Sequence, residues 1–218
     1  MREAMVSRQL RDGGITDERV LRAMGAVPRE EFVPELLRNQ AYSDGALPIG
    51  HGQTISQPWV VAAICQALEL RGGERVLDVG GGAGYSTAVI AELVRPGGSV
   101  RSYELIDALA HRAKKTLAQL GYAEAEVLAG DGAAASAETW DAIAVHAAAP
   151  ELPAPLVRSL RPGGRLVLPI AHGRSDVLTA FRRTDDGSSG DVTLESAYVA
   201  DCRFVPLLGE SGFASRDR

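Results

Sequence analysis

The sequence predicts an α/β fold: a doubly wound and mostly parallel sheet, with N-terminal helices before it and a C-terminal antiparallel strand pair after it. Between residues 58 and 170, short apolar runs alternate with segments whose apolar residues recur at helical spacing. Such alternation indicates parallel strands joined by right-handed helical crossovers. Beyond residue 170, "DVLTAFRRT" and "VTLESAYVADCRFVPL" flank "DDGSSG", which predicts a loop between two antiparallel strands.

Helices and one long loop are predicted ahead of the sheet. Residues 3–12 have helical spacing, and a second helix begins in "TDERVLRAMGAV" with Thr16 as its N-cap. A third short helix is expected over 29–38. Residues 41–58, here called the long loop, contain several Gly and Pro residues, and ordered loops of this length commonly carry function.

Helices and strands then alternate through the predicted sheet. The helix over 58–70 opens with Pro58 at its first position, where a backbone N–H has no intrahelical partner in any case. The other expected elements are strand 75–79, helix 84–94, strand 99–104, helix 106–120, strand 125–129, strand 142–147, helix 152–160 and strand 165–170.

Composition limits the functional classes that the chain can belong to. At 218 residues, with 45% hydrophobic and 23% charged residues, the chain is expected to form one globular domain. The formal net charge of −5 argues against a general nucleic-acid-binding protein. The four histidines show no ligand spacing with one another or with cysteine, so no metal site is predicted.

The sequence predicts a cytoplasmic protein that is not bound to a membrane. Its two cysteines, Cys65 and Cys202, lie far apart and outside any C-x-x-C pattern, which favours a reducing compartment. The first residues, "MREAMVSRQLRDGG", lack the apolar core of a signal peptide. No apolar run approaches the roughly 20 residues that a membrane span needs.

A glycine-rich turn follows the first predicted strand of the sheet. The stretch "VLDVGGGAGY" has the spacing D-x-G-x-G-x-G, with Asp78 two residues before Gly80 and with Gly82 and Gly84 after it. A dinucleotide fingerprint would require a third glycine at the position of Tyr85. An acid at position 78 is unfavourable beside a pyrophosphate, whereas it suits a ligand that carries a positive group.

Two further acids are predicted at the same edge of the sheet. Glu104 ends the second strand 20 positions after Gly84, where a carboxylate accepts hydrogen bonds from ribose hydroxyls. Asp131, in "AGDG", could accept from an amino group such as that of adenine. Together the three acids favour a cationic nucleoside, and S-adenosylmethionine fits. Each acid has an alternative role: Asp78 as a cap of the glycine turn, Glu104 as a solvated strand end, and Asp131 in its own Asx-turn.

Several further motifs lie along the chain. They are "VPREEFVP" (27–34), "LPIGHGQTIS" (47–56), "GDG" (130–132), "AAAPELPAPLVRSLRPGGRLVLPI" (147–170) and "RFVPLLGESGF" (203–213). Together they resemble the protein-L-isoaspartate O-methyltransferases, and the resemblance covers nearly the whole chain. The glycine turn by itself indicates only a class I methyltransferase, whereas "LPIGHGQTIS" is far more specific.

The resemblance implies a Rossmann-like methyltransferase fold and a repair reaction. The methyl group of S-adenosylmethionine would pass to the α-carboxylate of an L-isoaspartyl residue in damaged proteins or peptides, and the ester would then close to a succinimide. The implied segments are 1–57 (helices and the loop that meets the substrate), 58–170 (cofactor-binding core) and 171–218 (antiparallel strands and tail). The implied partners are isoaspartyl proteins and peptides, and a monomer is expected.

The resemblance also implies the site residues. Ser56 matches the family's active-site serine and lies just ahead of the helix that Pro58 opens, whose amino end favours an anion. Thr54 and Ile55 would line the junction between substrate and cofactor. The cofactor-binding residues would be Asp78, Gly80, Gly82, Gly84, Glu104, Leu105, Asp131 and Gly132.

Some positions depart from the usual family pattern. Gly81 and Ala83 replace small hydroxyl residues, the segment after Gly132 lacks a Gly-Trp pair, and His146 stands where a small residue is usual. His146 is expected at the rim of the pocket with no role in the chemistry, and Trp59 is expected to shape the peptide channel. These departures keep open a related carboxyl methyltransferase that acts on a dedicated peptide. A nucleoside-binding module without turnover is a further alternative, and Tyr85 disfavours a nicotinamide-dependent oxidoreductase.

Overall fold

The computed structural model describes residues 1–134, 138–173, 175–186 and 192–214. Its helices are α1 (Arg2–Ala4), α2 (Glu18–Ala26), α3 (Pro58–Leu68), α4 (Tyr85–Val94), α5 (Asp107–Gln119) and α6 (Ala154–Arg158). Its strands are β1 (Leu47–Gly50), β2 (Gln53–Ile55), β3 (Arg75–Val79), β4 (Ser99–Glu104), β5 (Ala125–Ala129), β6 (Trp140–Val145), β7 (Leu160–His172), β8 (Ser175–Arg183) and β9 (Leu194–Cys202).

Seven of these strands form one mixed sheet in the order β5-β4-β3-β6-β7-β8-β9. Strands β5 to β7 in this order run parallel, and β8 and β9 add to them in antiparallel pairs. The predicted α/β fold with a C-terminal antiparallel pair is therefore confirmed. The chain leaves β3 toward β4 on one side and later returns to β6 on the other. At such a switch point a crevice opens beyond the carboxyl ends of the strands.

Strand β3 lies in the middle of the five parallel strands, between β4 and β6. Val76, Leu77 and Val79 are almost completely buried, as parallel strands covered by helices on both faces must be. Helix α4, which follows directly, buries nine of its ten residues, so it packs on several sides and is not a surface helix. This packing fixes the end of β3 and the start of α4, and hence the turn between them.

The N-terminal elements differ from the predictions in detail. The first helix continues from α1 as a π-helix over Met5–Arg11. Asp17, and not Thr16, is the N-cap of α2, because its carboxylate accepts from the Arg19 N–H while the Thr16 N–H donates to Gln66. The single helix predicted over 29–38 is wrong: two 3-10 helices, Arg29–Phe32 and Glu35–Gln40, take its place. Pro34 separates them, since the residue before a proline is restricted to extended conformations.

The long loop contains a hairpin that the sequence did not reveal. Strands β1 and β2 pair antiparallel, and the turn between them places His51 at φ 55°. Within the sheet, β7 begins five residues before the predicted strand 165–170, and α6 is shorter than the predicted helix 152–160. Most of the predicted loop "DDGSSG" lies outside the described residues. No helix in the described parts of the chain is both long and apolar enough to cross a membrane.

Candidate active site

Three adjoining clefts open at the carboxyl ends of β3, β4 and β6. The first cleft, of about 650 Å³, is bounded by the glycine loop (residues 80–84), the ends of β4 and β5, and the C-terminal segment (203–213). The second cleft, of about 340 Å³, lies between the glycine loop and the long loop. The third cleft, of about 750 Å³, lies between the long loop and the C-terminal segment. Thr54 and His146 line all three clefts.

The glycine loop has the conformation that its sequence predicts. Gly80, Gly82 and Gly84 have φ values of 80°, 57° and 96°, which lie in the left-handed region that favours glycine. Gly80 and Gly82 line the first and second clefts. Gly84 lies on neither wall. A Cβ there would come within 3.1 Å of the Ala113 side chain, so this glycine allows α4 to pack closely against α5.

Glu104 lies on the wall of the first cleft and is held by backbone groups. Its two carboxylate oxygens accept from the N–H groups of Gly82 and Ile106, each at 2.9 Å. The residue is only 7% exposed, so it is not a solvated strand end. Leu105, which follows it, lines the same cleft and is half exposed.

Asp131 and Gly132 lie on the opposite side of the first cleft. The Asp131 carboxylate accepts from the Ala133 N–H at 2.9 Å, as in the alternative Asx-turn role. Its other oxygen accepts from the Glu210 N–H at 3.1 Å and thereby attaches the C-terminal segment. A Cβ on Gly132 would come within 2.7 Å of the Tyr103 side chain, so only glycine fits against that ring.

Asp78 does not line any of the three clefts, and its contact with a cofactor stays a prediction. It is completely buried beneath the glycine loop. Its Oδ2 accepts from the hydroxyl groups of Thr87 (2.6 Å) and Ser102 (2.9 Å), while its Oδ1 lies 3.1 Å from His146 Nε2. The carboxylate therefore organises the floor of the site from below.

Ser56 and its neighbours lie where the second cleft meets the third. Ser56 is half-buried and lines both, whereas Ile55 lines the second cleft only. Residue 56 lies two positions before Pro58, the first residue of α3, so the chain at Ser56 leads directly into the amino end of an 11-residue helix. The partial positive charge of that helix end favours an anion at this point.

Arg29 fixes the backbone of the long loop from inside the protein. Its guanidinium is completely buried and donates to the carbonyl oxygens of Ala41 (2.7 Å) and Ser56 (2.8 Å). It also lies 4.7 Å from the ring centre of Tyr85, a residue of the second cleft. Burial lowers the pKa of Arg29 and raises that of Tyr85.

Sequence reasoning did not identify three parts of this site as functional. Arg29 lies in the motif "VPREEFVP", and Val205–Leu208 of the C-terminal segment lie in "RFVPLLGESGF", but both motifs were used only for the resemblance. The third part is the contact between His146 and Asp78. Its sequence signal was the unusual histidine itself, but only the structure shows that the two side chains meet.

No group of three or more His, Cys, Asp or Glu side chains in the described ranges could hold a metal ion. The polar groups that meet at the junction of the clefts are hydroxyl, imidazole and carboxylate side chains. The first cleft offers oxygen acceptors, the second offers the Ser56 hydroxyl, and the third borders the amino end of α3.

Comparisons with known proteins agree with this arrangement. Residues 1–212 match the family model described as protein-L-isoaspartate(D-aspartate) O-methyltransferase. Two similar relatives are protein-L-isoaspartate O-methyltransferase 1 of Rhodopseudomonas palustris strain HaA2, 48% identical over 98% of this chain and 85% of its own, and protein-L-isoaspartate O-methyltransferase of Methanothrix thermoacetophila, 45% identical over 98% of both chains.

Solved structures give the same result for the fold. A protein-L-isoaspartate O-methyltransferase with 29% identity superposes with a TM-score of 0.83, covering 97% of this chain and 67% of its own. A putative enzyme of this kind from Plasmodium falciparum, in complex with S-adenosyl-L-homocysteine, superposes with a TM-score of 0.77 at 23% identity, covering 93% of this chain and 97% of its own.

Proposed function

The chain belongs to the protein-L-isoaspartate O-methyltransferase family, and we propose from that premise that it transfers a methyl group from S-adenosylmethionine to the α-carboxylate of L-isoaspartyl residues in damaged proteins and peptides. The observation that carries the proposal is the junction of clefts, where Thr54 and His146 border every cleft and Ser56 lies between two. A methyl group can be passed only where a donor site and an acceptor site meet.

The residues of the first cleft fit S-adenosylmethionine. No Lys or Arg occurs among the described residues of its wall, whereas Glu104 and Asp131 do. A phosphorylated dinucleotide would find no cationic side chain there for its phosphates. A nucleoside with a positively charged sulfur needs no such partner. When bound, S-adenosylmethionine supplies an electrophilic methyl group. Glu104 would accept from ribose hydroxyls, and Asp131 from an amino group once it is oriented toward the ligand.

Ser56 would orient the substrate carboxylate. A carboxylate with a reference pKa of about 4 is already ionised at neutral pH, so the reaction needs no strong base. What remains is alignment, which contributes several kcal/mol when the reacting atoms are held in position. The Ser56 hydroxyl offers a hydrogen-bond donor where the second and third clefts meet, and the amino end of α3 borders the third cleft beside it. Thr54 and Ile55 would complete the wall between substrate and cofactor.

The experiment that tests the proposal is methylation of matched peptides. Purified protein is incubated with labelled S-adenosylmethionine and with peptides that differ only in an L-isoaspartyl or a normal aspartyl residue. We expect base-labile label on the isoaspartyl peptide alone. Label on neither peptide, despite cofactor binding, would favour a methyltransferase for a dedicated peptide or a binding module without turnover.

The proposal also covers domain organisation, cellular location and oligomeric state. We propose a single domain, because one cluster of buried side chains runs from the N-terminal helices through the sheet to β8. We also propose that the enzyme is a cytoplasmic monomer without nucleic-acid partners, in keeping with its net charge of −5. Light scattering coupled to size-exclusion chromatography tests the monomer.

A further inference from the structure

His146 is nearly buried, and yet its side chain lies where the three clefts meet. It follows the last residue of β6, and its side chain is only 5% exposed, yet it lines all three clefts. Among the described residues that line the second cleft, His146 is the only side chain that can carry a positive charge. The substrate carboxylate is expected in that cleft beside Ser56.

A buried polar cluster lies beneath the His146 ring. Asp78 Oδ2 is satisfied by two hydroxyl donors, from Thr87 and Ser102. Asp78 Oδ1 and His146 Nε2 are 3.1 Å apart, but the two groups are not aligned as in a hydrogen bond. Neither atom has another hydrogen-bond partner in the described part of the chain. A buried carboxylate oxygen in this state requires a donor, and Nε2 is the group beside it.

This contact decides how the ring can act. A proton on Nε2 would place a donor 3.1 Å from the unpaired Oδ1 of Asp78, which a bare nitrogen cannot supply. With Nε2 serving Asp78 in this way, Nδ1 is the ring nitrogen left for a ligand. When Nδ1 also carries a proton, the ring and Asp78 form a neutral pair, and Nδ1–H can donate to an anion. Without that proton, the buried negative charge of Asp78 is uncompensated and repels a second carboxylate.

We propose that protonated His146 is a second binding residue for the carboxylate that is methylated, opposite Ser56, and that Asp78 is a positioning residue acting through His146. The inference rests on the proposed function and names a substrate contact within it. The other charged groups that face this junction are Glu104 and Asp131 in the first cleft and Asp201 and Arg203 in the third. None of them lines the second cleft.

The experiment measures binding of an isoaspartyl peptide in the presence of S-adenosylhomocysteine, so that no reaction occurs. Calorimetric titration of the wild-type protein between about pH 5.5 and 8.5 spans the range in which a histidine titrates. We expect peptide affinity to fall as the pH rises, because an uncharged imidazole ring cannot compensate the charge of the substrate carboxylate. In His146→Gln the affinity at the lower pH should be about tenfold to hundredfold weaker and nearly independent of pH, the scale of a charge-assisted hydrogen bond.

Two controls keep the result interpretable. His172→Gln makes the same change at an exposed histidine of β7 and should keep the wild-type pH dependence. Because His146 also borders the first cleft, the affinity of His146→Gln for S-adenosylhomocysteine alone is measured as well, and it should fall less than the affinity for the peptide. Asp78→Asn should also weaken peptide binding, with thermal melts showing whether the buried cluster survives.

Three outcomes would overturn the inference. If the affinity of the wild-type protein for the peptide does not change with pH, the inference is wrong, and this result needs no folded variant. Peptide affinity in folded His146→Gln equal to wild type, or equal losses for peptide and cofactor product, would also exclude the proposed contact. Absence of any isoaspartyl-peptide binding by the wild type at every pH would instead contradict the proposed function itself.

Discussion

The glycine loop and the long loop border the same cleft but are stabilised in different ways. The glycine loop joins two neighbouring elements, β3 and α4, and three glycines with positive φ determine its path. The long loop is held by distant residues: Arg29 donates to Ala41 and Ser56, and Arg112 on α5 donates to Ile49 at 2.9 Å.

This difference in support separates cofactor binding, at the glycine loop, from the positioning of the substrate, at the long loop. The glycine loop and Glu104 form a preformed wall of the first cleft, because the Gly82 N–H is already bonded to the Glu104 carboxylate. Ser56 is placed by a buried guanidinium that belongs to another segment. We therefore expect changes around the glycine loop to affect cofactor affinity and stability, and changes in the long loop and its supports to affect methyl transfer.

The largest effect is expected for Ser56→Ala. Loss of the hydroxyl should lower methyl transfer about ten- to thousandfold, because the carboxylate loses alignment while the amino end of α3 still attracts it. Affinity for S-adenosylmethionine should be nearly unchanged. Initial rates on an isoaspartyl peptide and a cofactor titration measure both, with Ser43→Ala, an exposed serine in the same loop, as control. Wild-type turnover in a destabilised variant would leave Ser56 with a structural role only.

Arg29→Met tests whether the long loop depends on its distant support. It leaves the carbonyl oxygens of Ala41 and Ser56 without a donor and lets residue 56 shift, and a displacement of about 1 Å can lower the rate about hundredfold. Cofactor affinity should remain close to wild type. Arg38→Met changes an exposed arginine nearby and serves as control. An unchanged rate in Arg29→Met would show that the loop holds its own conformation.

Glu104→Gln tests the cofactor side of the site, next to the glycine loop. Removing the charge while keeping the size of the side chain should weaken S-adenosylmethionine binding by about 1.5 to 3 kcal/mol, the range for hydrogen bonds to a charged group. The rate at saturating cofactor should change less. Calorimetric titration gives the dissociation constant, and Glu151→Gln provides an exposed control. An unchanged dissociation constant in a folded variant would remove Glu104 from the cofactor site.

Gly81→Ala tests the packing beneath the glycine loop. A Cβ at this position would lie 2.1 Å from Ser102 Oγ, which already donates to Asp78. Displacing that hydroxyl should lower the free energy of unfolding by about 2 kcal/mol. Ser102→Ala removes the obstructing atom, so Gly81→Ala/Ser102→Ala should be more stable than the sum of the single changes predicts. Strict additivity in chemical denaturation would contradict the contact.

The smallest effect concerns the acid sensitivity of the long loop. Burial raises the pKa of Glu30, but hydrogen bonds from Tyr42 of the loop, from the backbone and from Arg2 outweigh it and hold the pKa below its usual value. The ionised form therefore stabilises the fold at neutral pH, and this contribution is lost as the pH falls below about 4.5. For a partly exposed group it should be under about 1 kcal/mol.

Glu30→Gln should accordingly lower the melting temperature slightly at pH 7 and leave it less sensitive to acid. Glu35→Gln, at an exposed position, should behave like the wild type. Identical acid dependence of Glu30→Gln and wild type would exclude the contribution.

Much of the fold follows from the sequence because it is locally encoded. The predicted bounds of β3, β4 and β5 agree with the structure, since each is a short segment that lies next to glycines of a turn. The antiparallel hairpin of β1 and β2 was missed because strands of three and four residues with two glycines in their turn read as loop. Val33 and Pro34 divided a predicted helix because proline restricts the residue before it.

By itself the sequence determined the glycine loop, the acids at the ends of β3 and β4, and the motif that contains Ser56, because neighbouring residues fix a turn and the end of a strand. Only the tertiary structure decided which acid faces the cleft. Glu104 lies on the wall, while Asp78 accepts hydroxyl groups from below and meets His146, 68 positions away in the chain. The physical reason is that a buried carboxylate needs donors, and which donors reach it depends on strand order and packing that no local pattern contains.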